Sequence, residues 1–94
     1  GPYSFQPSAK VLETNDGNKV RLTDKETAIL KFLYRQGPKT MSRDILLKEV
    51  WGYNNRVTTH TLETHIYRLR QKIERDPSNA RLLVTEEGGY RLVP

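Results

Sequence analysis

Ninety-four residues, 35% of them hydrophobic, make one small domain with room for one core. The formal net charge of +5 favours a polyanionic partner, most often nucleic acid. Cysteine is absent, which excludes disulfides and thiolate metal sites, and no run approaches the ~18 apolar residues that span a membrane. The polar, Pro-containing amino terminus lacks a signal-peptide pattern. Gly1-Pro2 is compatible with a cloning scar.

The chain begins extended. Val11 and Leu12 follow Pro7-Ser8, and Val20 and Leu22 alternate with Lys19 and Arg21. Asn15-Asp16-Gly17-Asn18 between them is a hairpin signal, because a tight turn needs positive φ at its centre. Two or three short antiparallel strands are expected. Thr23-Asp24-Lys25-Glu26 is a capping box that opens a helix through Ala28, Ile29, Leu30, Phe32 and Leu33, and Gly37-Pro38 stops it. A second helix is expected from an N-cap at Ser42, with Ile45, Leu46 and Val50 inward and an end near Trp51-Gly52. A polar loop over 53–57 leads to a third helix over 58–75, closed by Asp76-Pro77-Ser78-Asn79. Leu82 to Glu86 then reads as a strand, Glu87-Gly88-Gly89 as a turn and Tyr90 to Val93 as the returning strand.

The third helix carries the chemistry. Leu62, Ile66, Leu69 and Ile73 form one apolar stripe. The opposite face projects His60, Thr64, Tyr67, Arg68, Gln71 and Arg75, rich in hydrogen-bond donors and basic. A dry back and a donor-rich front suit the major groove of DNA. Two bracing helices before it and a hairpin after it make a winged helix-turn-helix order. The Arg68 fork can take guanine O6 and N7 together, and the Thr64 methyl can touch a thymine methyl. Tyr67 and His60 flank that line, and Thr61 joins the same contact set. Arg70 and Lys72 project to the two sides, where phosphates are nearer than base edges.

Other chemistries fit poorly. His60, Glu63 and His65 in the string HTLETH invite a metal reading. The two histidines diverge by about 140° on a helix, so they do not share a face. His65 is expected at the core edge, and no metal or cofactor is expected. Catalysis lacks a Gly-rich phosphate loop or a GxSxG elbow. Ser4, Ser8, Ser42 and Ser78 sit in turn or cap contexts, and Glu86-Glu87 lies on a hairpin rather than in a cleft.

The segments LTDKETAILKFL, MSRDILLKEVWG, VTTHTLETHIYRLRQKI and LLVTEEGGYRL together resemble the winged-helix effector domain of OmpR/PhoB-type response regulators. The resemblance runs from about Phe5 to Val93. It implies an α+β fold with a four-stranded amino-terminal antiparallel sheet, three helices and a carboxy-terminal hairpin wing, all in one domain. It implies cytoplasmic, sequence-specific binding to promoter DNA by the output half of a bacterial two-component system, with self-association as head-to-tail pairs on direct repeats. It places Trp51 and Tyr90 near the DNA backbone; Gln71 and Arg75 join the expected DNA-binding residues from the outward face of the helix, and Arg91 from the hairpin. It gives the loop containing Gly52, Tyr53, Asn54, Asn55 and Arg56 a contact with RNA polymerase. A receiver domain bearing the phosphorylated aspartate is expected before residue 1.

Two positions depart from the pattern. Many relatives carry a minor-groove Arg where this chain has Glu86, followed by Glu87. A carboxylate there meets negative potential, which leaves Arg91 or Arg81 as the wing's phosphate candidates. Tyr67 stands where some relatives have Arg. Two alternatives stay open on sequence alone. One is a protein-interaction module on the same fold; the other is the cytoplasmic DNA-binding domain of a membrane-anchored activator.

Overall fold

Alternating exposure along the first segment builds a sheet with one wet face. The computed structural model describes residues 3–52 and 56–93. β1 (Tyr3–Gln6), β2 (Val11–Thr14) and β3 (Lys19–Arg21) pair antiparallel in that order, with Phe5 opposite Leu12 and Leu12 opposite Val20. The described residues hold three strands in this sheet, not four as the resemblance implies. The Asp-Gly hairpin forms as expected: Gly17 has φ of 87° and its amide donates to the Thr14 carbonyl at 3.0 Å. A 3-10 turn at Pro7–Ala9, with Lys10 left-handed at φ of 56°, joins β1 to β2.

The capping box opens α1 (Asp24–Arg35). Thr23 Oγ1 accepts the Glu26 amide at 3.2 Å, and Glu26 Oε1 accepts the Thr23 amide at 2.8 Å. Ile29, Leu30 and Leu33 enter the core. β4 (Met41–Ser42) follows, a two-residue strand that periodicity does not reveal. Ser42 also caps α2 (Arg43–Trp51), accepting the Ile45 amide at 3.1 Å. Leu46 is the helix's fully buried residue, whereas Ile45, expected inward, is 44% exposed. In so short a helix Leu46 and Val50, four apart, take the core face, and Ile45 lies about 100° away. Gly52 ends α2 with φ of 74°.

α3 (Thr59–Ile73) packs its whole stripe into the core: Leu62, Ile66, Leu69 and Ile73 are at most 4% exposed. It ends two residues earlier than expected, because Glu74 leaves the helical path at ψ of 140°. The Glu74 carboxylate accepts the amides of Arg81, Leu82 and Leu83, which pins the start of the next strand. β5 (Leu83–Glu86) and β6 (Gly89–Leu92) form the hairpin, turning at Glu87-Gly88. β4 pairs with β6, so the wing belongs to a three-stranded sheet of order β4-β6-β5. A Cβ on Gly89 would collide with the Met41 carbonyl, so the closeness of β4 and β6 demands glycine there.

Candidate nucleic-acid interface

With the α3 stripe buried, the opposite face has nowhere to go but solvent. His60, Arg68 and Gln71 are exposed, and Tyr67 is 63% exposed. Arg68 forms no ion pair among the described residues. Thr64 is half-buried, and its hydroxyl donates to the His60 carbonyl at 3.0 Å. That bond commits the polar atom to the helix and leaves the methyl as the group a partner can meet. Thr61 is half-buried, and its carbonyl lies 2.8 Å from His65 Nδ1, so that ring nitrogen carries the hydrogen. Arg75 is exposed, but it follows the helix end, so the helical projection that grouped it with Arg68 does not apply.

Several expected contact residues have partners inside the protein. Arg70 reaches the wing: Nε donates to the Leu83 carbonyl at 2.9 Å and Nη2 to Thr85 Oγ1 at 2.8 Å. Lys72 Nζ meets Glu26 Oε1 at 2.6 Å, a side chain 2% exposed. Arg91 binds Glu86, with Nε and Nη2 at 3.0 and 2.7 Å from the same carboxylate oxygen. These cations are therefore already committed, which projection on a wheel does not reveal.

Tyr90 is only 4% exposed. Its ring is flanked by two guanidinium groups, Arg43 at 5.0 Å and Arg70 at 5.8 Å from the centroid. Tyr90 thus offers the surface a ledge for two cations more than a ring of its own. The sequence pattern does not single out Arg43; its place at the first turn of α2, beside Ser42 on β4, depends on a strand that has no local signature. Its Nε also lies 3.9 Å from Glu63 Oε1. An open groove of about 710 Å³ runs between α3 and the wing, lined by Arg43, Glu63, Tyr67, Arg70, Gln71 and Tyr90 among others.

Trp51 is half-buried at the end of α2. It meets the His65 ring edge-on at 5.0 Å, and Lys25 stands 5.5 Å over its face. His65 thus sits at the core edge, as its position on the helix predicts. Gly52 and Arg56, the two ends of the expected polymerase loop, are both exposed. Tyr53, Asn54 and Asn55 lie outside the described residues. Among the described residues no helix is long and apolar enough to cross a membrane.

Comparison with known proteins places this geometry. Residues 17–92 match the family described as transcriptional regulatory protein, C terminal. The DNA-binding response regulator MtrA of Mycolicibacterium smegmatis is 38% identical over 89 residues, which are 94% of this chain and 38% of that protein. The transcriptional regulatory protein KdpE of Mycobacterium tuberculosis is 46% identical over 77 residues, 81% of this chain and 34% of its own length. The chain thus spans well under half of these relatives. The DNA-binding domain of E. coli CadC superposes with a TM-score of 0.85 at 26% identity, covering 99% of this chain and 87% of that one. The buried stripe, the hairpin wing and the matched span agree: the chain belongs to the family of C-terminal DNA-binding output domains of transcriptional response regulators.

Proposed function

We propose that the domain binds double-stranded promoter DNA sequence-specifically, with α3 in the major groove and the wing beside it. The observation that carries this reading is α3 itself, its apolar stripe sealed in the core and its donor-rich face in solvent. Arg68 and Gln71 address base edges, with Tyr67 and His60 on the flanks and the Thr64 methyl allowing close approach. Thr61 and Arg75 stand at the two ends of that surface. Arg70 and Lys72 brace the helix, because the wing's carbonyl and hydroxyl hold the Arg70 donors and the Glu26 carboxylate holds Lys72. Arg43, Trp51 and the Tyr90 ledge border the phosphate side.

The same proposal extends to the longer protein. A receiver domain upstream would bring copies together on direct repeats, the loop from Gly52 to Arg56 would meet RNA polymerase, and the work would be done in the cytoplasm by binding rather than catalysis. Selection of bound duplexes from a random pool tests the core claim. An enriched motif with two spaced half-sites is expected; a pool that stays unenriched at low salt would sink the reading.

A further inference from the structure

The wing contains one cation between Leu83 and Val93, and that cation is held. Arg91 lies opposite Val84 in the hairpin and Glu86 opposite Gly89. The two side chains therefore meet diagonally on one face of the hairpin, while Thr85 and Tyr90 occupy the other. Both donors of the Arg91 edge, Nε at 3.0 Å and Nη2 at 2.7 Å, converge on Glu86 Oε1. The side chains are 33% and 38% exposed, so the pair is partly shielded from screening by salt. Glu87, at the turn, adds a further carboxylate. The Arg70 bond to Thr85 fixes the other face of this hairpin against α3, so a duplex seated on α3 runs past the hairpin, and Arg91 and Glu86 approach it from the outer face.

We propose that Glu86 holds Arg91 as a masked phosphate contact. The carboxylate and a DNA phosphate compete for one guanidinium fork, so the wing adds little to affinity and the burden of recognition falls on α3. Glu86 is thereby a determinant of how strongly the domain holds DNA, acting through Arg91. The inference rests on the reading that α3 and the wing face one duplex.

A double-mutant cycle separates masking from simple charge. The wild type, Glu86→Gln, Arg91→Ala and the double variant are titrated with the selected duplex by fluorescence anisotropy across a KCl series. Melting curves confirm that each variant folds; Arg91→Gln replaces Arg91→Ala in the cycle if the latter does not. Arg91→Ala alone should change Kd by less than about twofold, because the cation is masked. Glu86→Gln should tighten binding about threefold or more and steepen the log–log salt slope by about one. Adding Arg91→Ala to Glu86→Gln should abolish that gain. A gain that survives loss of Arg91 means that Glu86 merely repels DNA, and it overturns the proposal. Equal losses from Arg91→Ala in both backgrounds, or no gain from Glu86→Gln, overturn it as well. Failure of the wild type to bind any duplex would show earlier, as failure of the DNA reading itself.

Discussion

Two arginines two residues apart on α3 stand in different surroundings. Arg68 points to solvent without an ion-pair partner among the described residues, whereas Arg70 is spent on the Leu83 carbonyl and the Thr85 hydroxyl. A planar guanidinium with free donors can take two acceptors of one guanine at once. Arg68→Ala should therefore cost about 1–3 kcal/mol of binding and relax preference at one base position. Competition against a set of single-base variants of the selected duplex measures both. Uniform weakening across all sequences would make Arg68 a phosphate contact instead. Helical projection is enough to find Arg68, because an unpartnered outward residue depends on direction alone. It is not enough for Arg70 or Lys72, whose partners lie on β5 and α1. Arg75 escapes it for another reason, since the helix ends before that residue at Glu74.

Elements with a local signature are legible in the sequence itself. The Thr23–Glu26 capping box, the Asp16-Gly17 hairpin and the α3 stripe each encode their geometry within a few residues. β4 is not legible: two residues have no period, and they become a strand only because β6, nearly fifty residues later, pairs with them. Gly89 marks that pairing from the other side. Gly89→Ala should force β4 off β6, shift the Ser42 cap of α2 and cost about 1–3 kcal/mol. Faster amide exchange over residues 41–42 and 89–90 would report it; unchanged exchange would mean that the strands can part without cost.

A second link joins α1 to α3. Burial by itself would raise the Glu26 pKa, but the Lys72 ammonium and the Thr23 amide outweigh it and hold the carboxyl below its usual range. A carboxyl lowered in the folded state adds stability above its unfolded value near 4.5, and that stability is lost as pH falls through the folded value. Glu26→Gln should cost about 2 kcal/mol at pH 7. A fully buried pair would cost roughly 3–5, but Lys72 stays 34% exposed. Urea melts of wild type and variant should converge in acid, below the folded pKa. A gap that stays constant with pH would show that the ion pair contributes nothing through its charge.

For the molecule as a whole, the question is how much of its positive charge can reach DNA. The net charge is +5, from 16 Lys and Arg against 11 Asp and Glu. At least four of those 16 cations are paired internally among the described residues: Lys10 with Asp24, Arg43 with Glu63, Lys72 with Glu26 and Arg91 with Glu86. On the proposed DNA reading, phosphate contacts come from fewer side chains than the composition suggests. If about four phosphates are neutralised per domain, log K should fall with log salt at a slope of roughly −3.6. Affinity would then drop on the order of a hundredfold between 50 and 200 mM salt. A half-site duplex and a two-half-site duplex, titrated side by side, extend the test to assembly. Two domains seated on one duplex release both sets of counterions, so the overall slope for the pair should be about double. A slope near zero on either duplex would mean that the charge does not meet phosphate, and the donor-rich face of α3 would need another partner.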